Sequence, residues 1–203
     1  MTIAIIDYGS GNLRSAQKAF ERVASELSLK SEVILTAHAE DVATADHIVL
    51  PGVGAFADCA AGLSSLDGMT DALGEAVMDG GKPFLGICVG MQALLSDSEE
   101  DGGTQGLDLM AGHVKRFPSG QQDPATGDQL KVPHMGWNEV QQRRPHPLWK
   151  GIEDLHRFYF VHSYYVAPDD PKATSGATHY GVEFTSAAAG AGWFATQFHP
   201  EKS

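Results

Sequence analysis

The chain has 203 residues, 42% of them hydrophobic and 20% charged, with a formal net charge of −12. That length suits one domain with a sizeable core, or at most two small ones. A nucleic-acid binder carries a basic patch to neutralise phosphates, and none is visible here. No run approaches the roughly 20 apolar residues that a membrane span requires, and the opening MTIAIIDYGSGN lacks the basic n-region of a signal peptide.

The run 2–7 (TIAIID) reads as a buried strand ended by the turn residues 8–12 (YGSGN). Apolar residues at helical spacing over 13–27 then predict a helix, which Asn12 could cap. Strands are expected at 31–36 and 47–51, the second running into Gly52-Val53-Gly54. A helix is expected from about 58 to 79, a buried strand over 82–88, and another helix through Leu95. Alternation of strands and helices implies parallel βαβ units. The second half differs, with strands expected at 113–117, 136–140, 157–166, 178–185 and 193–198 and no strong helix between them. Antiparallel pairing is expected there, and the polar 118–131 stretch reads as an exposed loop. The expected architecture is an α/β fold, an open mixed sheet flanked by helices with a parallel first half and an antiparallel second half. It is treated as a single domain over 1–203.

Only two cysteines occur, Cys59 and Cys88. They make neither a disulfide framework nor a zinc site, so a reducing cytoplasm is the expected setting. Cys88 lies in Gly86-Ile87-Cys88-Val89-Gly90, between a strand and a helix. This is the nucleophile-elbow spacing with sulfur in place of oxygen. Such a turn lifts the side chain into the open and aims the Val89 N–H at a developing oxyanion. On the elbow alone, a small buried hydrophobe is an equally good reading of Cys88. Cys59 has no such context and reads as core.

A thiol nucleophile needs a base, and the base an orienting group. His199-Pro200-Glu201 contains both. Pro200 biases His199 toward extended backbone, where residues two apart share a side. Taken alone this string reads as a surface turn, since the chain has nine histidines. Pro51-Gly52-Val53-Gly54 ends an earlier strand, where ligands bind in doubly wound sheets. Its backbone could add an oxyanion donor, or be a plain turn.

Together these elements resemble the class I glutamine amidotransferases, the Cys-His-Glu glutaminases, over essentially the whole chain. DYGSGN at 7–12, LPGVGAF at 50–56, GICVGMQ at 86–92, PHMGWN at 133–138, FVHSYY at 160–165 and QFHPEKS at 197–203 carry the resemblance. Within the family, DYGSGN and HMGWN are similar to the glutaminase subunits of imidazole glycerol phosphate synthases. The resemblance implies Cys88 as nucleophile, His199 as base and acid, and Glu201 as orienter. It implies oxyanion donors at Val89 and in Gly52-Val53-Gly54. Gln92 and Glu100 match positions that hold the ends of L-glutamine, and His162, Ser163 and Tyr164 a strand flanking that pocket. Without the match, Gln92 and Glu100 read as well as solvated surface. Asn12, Trp137 and Lys202 match residues facing a (β/α)₈-barrel cyclase subunit, although a core tryptophan is the plainer reading of Trp137.

No metal or other cofactor is implied. Ammonia would pass to the cyclase in a step of histidine biosynthesis. Weak glutaminase activity in isolation and stimulation in the complex are expected, because a glycine-flanked loop can flip a peptide at little steric cost. Other class I synthases and a non-catalytic binding role are the competing readings. The family usually continues past the triad with a short helix, so the chain is expected to be truncated or to end differently.

Overall fold

A computed structural model describes residues 1–123 and 126–203. Pro124 and Ala125, inside the expected 118–131 loop, lie outside the described residues. β1 (Thr2–Ile6) is apolar on both faces and almost wholly buried, as a central parallel strand must be. α1 (Leu13–Glu26) follows and buries Ala16 and Ala24. Asn12 stands at its N-cap, but only its main-chain carbonyl is used, accepting from Ser15 and Ala16. The side chain makes no cap bond. Next come β2 (Glu32–Thr36), a short unanticipated α2 (Ala39–Thr44) and β3 (His47–Gly52).

The helix expected over 58–79 is divided. α3 (Phe56–Ser65) stops before Gly68, whose φ of 67° turns the chain into α4 (Met69–Gly74) and then a π-helical turn at Glu75–Asp79. β4 (Phe84–Cys88) leads into α5 (Val89–Gln92), a single turn rather than a helix through Leu95. The carbonyls of Ala93, Leu94 and Leu95 instead accept from the N–H groups of Leu107, Leu109, Met110 and Asp108. A distant segment therefore outcompetes helix propagation, and the chain enters β5 (Leu95–Ser98).

β6 (Thr104–Gln105), β7 (Met110–Arg116), β8 (His134–Gln142), β9 (His156–His162), β10 (Tyr164–Pro168), β11 (Thr174–Tyr180), β12 (Val182–Ala189) and β13 (Trp193–Thr196) complete the sheet. The strand order is β2-β1-β3-β4-β13-β12-β10-β7-β5-β6, with β11 joining β12 to β8 and β8 pairing β9. The mixed α/β architecture is the expected one, with three corrections. The 157–166 strand is two strands, because β9 pairs β8 whereas β10 pairs β7 and β12. The 178–185 strand is a hairpin turned at Gly181, φ 71°. β13 is antiparallel to β12 but parallel to β4, so it joins the parallel half. β5 and β7 also pair in parallel.

Among the described residues, two apolar clusters divide the interior. One lies under the parallel strands and includes Cys88. The other is aromatic, with Phe117, Trp149, Phe158, Phe160, Phe184, Phe194 and Phe198. Among the described residues no helix is long and apolar enough to cross a membrane.

Candidate active site

The carboxyl ends of β3 and β4 lie side by side, with Gly52 opposite Cys88. Cys88 has φ 55° and ψ −111°. A non-glycine residue in this region costs on the order of 1–3 kcal/mol, and the surrounding structure has to impose it. Here the surroundings are two glycine contacts. A Cβ at Gly90 would overlap the Leu50 carbonyl oxygen, and one at Gly52 would lie 2.6 Å from the Gly90 nitrogen. Any side chain at either place would push the elbow off β3. Gly52 thus packs behind the elbow, and its successors Val53 and Gly54 line the cleft.

A cleft of about 320 Å³ opens above Cys88. Val53, Gly54, Cys88, Val89, Gln92, Glu100, His162, Ser163, Tyr164 and His199 all line it. Residues expected to act together from six separate places in the chain therefore meet in one cavity. A larger cleft of about 620 Å³ between α3, α4 and residues 105–109 holds none of them. Val53 and Gly54 supply the loop wall. The Ser10 hydroxyl donates to the Val53 carbonyl at 3.2 Å and holds that peptide. Val89 begins α5 directly after Cys88, so its N–H is a helix-start donor with no partner inside that helix.

His199 follows β13, and its Nδ1–H donates to Glu201 Oε1 at 2.9 Å. The two side chains are only 2% and 6% exposed. Glu201 returns to the ring through a 3₁₀ turn over Pro200–Lys202, not along an extended strand as expected. One main-chain bond and two side-chain hydroxyls help hold this corner: the His199 N–H donates to the Tyr159 carbonyl, Thr196 Oγ1 to the Phe198 carbonyl, and Ser203 Oγ to the His199 carbonyl. With Nδ1 engaged, Nε2 is the nitrogen left for the sulfur, and it makes no hydrogen bond within normal limits. Burial lowers the His199 pKa, but Cys88 and Glu201 outweigh burial and raise it to about 9. The sulfur is thus near enough to act on the ring without being aligned for transfer, a looseness common before substrate binds.

Three carboxamide and carboxylate side chains around this centre are engaged. Gln197, two residues before His199 and not foreseen from the sequence, donates to Cys88 Sγ at 3.6 Å. Gln92 Nε2 donates to Gln197 Oε1 and to the Tyr164 carbonyl, each at 3.1 Å. Gln92 is therefore buried, not solvated. Glu100 Oε2 accepts from the Phe56 N–H at 2.6 Å, at the start of α3. Burial, followed by the neighbouring His134, lowers the His162 pKa to about 3.

The three residues expected at a partner surface are less unified. Trp137 is 54% exposed, which overturns the core reading. Its ring packs edge-to-face on Tyr159, and Lys202 Nζ lies 5.6 Å over that same ring. Asn12 is at the start of α1. Among the described residues no group of three or more His, Cys, Asp or Glu side chains is placed to hold a metal.

The sequence matches the family described as glutamine amidotransferase class-I over residues 4–203. It is 52% identical over 201 residues to a protein of Aromatoleum aromaticum named imidazole glycerol phosphate synthase subunit HisH, covering 99% of this chain and 91% of that one. A protein of the same name from Dechloromonas aromatica is also 52% identical, over 202 residues, covering 100% and 90%. Among solved structures, a glutamine amidotransferase superposes with a TM-score of 0.69 at 15% identity, covering 99% of this chain and 91% of that one. Another, from Thermotoga maritima, gives 0.65 at 16%, covering 99% and 76%. These two likenesses concern the fold. A sequence match that takes in the elbow, the loop after β3 and the His199 corner places the chain plainly: it belongs to the class I glutamine amidotransferase family.

Proposed function

We propose that this chain is the glutaminase subunit of an imidazole glycerol phosphate synthase. The observation that carries the reading is one cleft holding a strained Cys88, the Nε2 edge of His199 and the loop after β3. The Cys88 thiolate attacks the carboxamide carbon of L-glutamine. The N–H groups of Val89 and of the Val53–Gly54 loop receive the oxyanion. The tetrahedral intermediate collapses with cleavage of the C–N bond, and His199 gives its Nε2 proton to the departing ammonia. Water, deprotonated by the same ring, then attacks the thioester to release glutamate and restore the thiol. Glu201 keeps the proton on Nδ1 throughout. Gln92, Glu100, His162, Ser163 and Tyr164 form the wall that takes the α-amino and carboxylate ends.

The whole chain acts as one cytoplasmic domain that hands its ammonia to a (β/α)₈-barrel cyclase. Trp137 and Lys202, joined through Tyr159, form part of the docking face, with Asn12 nearby in role. The test is glutamine hydrolysis with and without a candidate barrel cyclase, for the wild type and Cys88→Ala. Strong stimulation by the cyclase and loss of turnover in the variant are expected. Full activity of the isolated chain would remove the coupling, and an active Cys88→Ala complex would remove the nucleophile. Specific capture of a synthase other than a barrel cyclase would move the chain to another branch of the family.

A further inference from the structure

Two histidines form the wall between the active-site cleft and a second cleft of about 300 Å³. His162 lines the first, while His134 and Asn138 line the second beside Trp137. Both rings are buried, at 3% and 6% exposure. His134 is held flat between Tyr180 and Phe160, with centroids 4.0 Å and 4.8 Å away and both contacts stacked.

Their hydrogen bonds admit one assignment. The Tyr164 carbonyl can only accept, so His162 Nδ1, at 2.8 Å, carries the proton. In a neutral ring Nε2 is then bare, so the proton between it and His134 Nδ1, at 2.9 Å, belongs to His134. His134 Nε2 is bare in turn and accepts from Asn138 Nδ2 at 3.2 Å. The amide's orientation is settled independently, because Asn138 Oδ1 accepts from the Glu139 N–H and Nδ2 also donates to the His179 carbonyl. Burial keeps both rings neutral, lowering His134 to about 4 and His162 to about 3. The Tyr164 carbonyl at the end of this series also accepts from Gln92, which bonds Gln197, which bonds the Cys88 sulfur.

We propose that His134 and Asn138 are positioning residues for glutamine hydrolysis. They fix the tautomer of His162 and thereby the Tyr164 carbonyl, which anchors both the substrate wall and the Gln92–Gln197 link to Cys88. The inference rests on the reading of Cys88 as nucleophile. A reversed proton anywhere in the series would set two lone pairs, or two N–H groups, against each other in a buried place, and that is costly.

The test combines kinetics of the complex with ¹⁵N NMR of the imidazoles in the full chain. His134→Phe keeps the stacked ring but removes both nitrogens. It should lower kcat/KM by about tenfold, the scale of one lost buried hydrogen bond, and His162 should lose its single Nδ1–H signal. His134→Asn, whose amide nitrogen stands near the lost Nδ1, should restore most of both. Asn138→Asp lies at the accessible end and tests the idea should His134→Phe fail to fold. Its carboxylate draws the His134 proton to Nε2, so the His162 tautomer should change. An unaltered His162 signal with wild-type kcat/KM in any folded variant overturns the proposal, since a merely structural role would shift only the melting temperature. Cys88→Ala separates the two readings. If it keeps turnover the nucleophile assignment fails, whereas the His162 signal still reports on the histidine series.

Discussion

Three buried histidines lie around the cleft, and their surroundings send them in opposite directions. His134 and His162 meet neutral partners and each other, and burial drives both well below the ordinary histidine value. His199 is also buried, but it faces a carboxylate and a sulfur that together raise it to about 9. Burial alone therefore does not determine a histidine's charge in this protein; the adjacent group does. The His199 ring is held in its protonated form at neutral pH, as the proposed proton delivery to ammonia requires. The paired histidines stay neutral and can serve only as fixed donors and acceptors.

The largest effect expected from breaking this contrast is at Glu201. Glu201→Gln keeps the shape but removes the charge, so His199 loses its tautomer control and part of what raises its pKa, the Cys88 share remaining. Glutamine turnover should fall roughly 10³- to 10⁴-fold, by analogy with loss of the orienting carboxylate in other triads. Steady-state kinetics of the complex measure this, and a change of less than tenfold would mean that Glu201 does not orient the base.

Within one pH unit below neutrality, stability against pH should show the next largest effect. His134 and His162 have folded pKa values below the unfolded value of about 6.5, so the unfolded state binds more protons as pH falls. Stability is complete above about 6.5 and declines below it, by about 1.4 kcal/mol per pH unit for each ring, until their folded values of about 4 and 3 are reached. His199 has the opposite sign. Its contribution is whole below about 6.5 and is lost as pH rises through about 9. Urea titrations across pH should show the acid loss, and Glu201→Gln should flatten only the alkaline side.

A smaller effect is expected at Thr196, whose hydroxyl donates to the Phe198 carbonyl just before His199. Thr196→Val should cost about 1 kcal/mol of stability, one net hydrogen bond, read as a lower urea midpoint. Asn12→Ala should do least, under about 0.5 kcal/mol, because no cap bond is lost. A larger stability loss there would show that the side chain holds something in the free chain.

Several features were legible in the sequence because they are local. The apolar runs of β1, β3 and β4 announce buried parallel strands, the glycines around Cys88 announce a sharp turn, and His199-Pro200-Glu201 places a base beside a carboxylate. What a short pattern could not specify was competition between distant segments. α5 ends after Gln92 because residues 107–110 claim the carbonyls of 93–95. β13 takes its place in the parallel half by pairing with β4, more than a hundred positions earlier in the chain, with Trp193 opposite Phe84. Gln197 carried a faint signal, standing in the same short run as His199, yet nothing near it pointed to sulfur.

The chain's own order of residues thus determined the chemistry on offer: a thiol in an elbow, an imidazole with its carboxylate, and a glycine loop. Each depends on neighbours within a few positions, where backbone sterics and hydrophobic period suffice. Only the tertiary structure decided which polar groups complete the site. Gln197 reaches Cys88 across 109 positions of sequence, Gln92 reaches Gln197 across 105, and His134 reaches His162 across 28. Such bonds form between groups that folding buries together, and their direction is set by which partner can only accept, a condition that no stretch of sequence carries by itself.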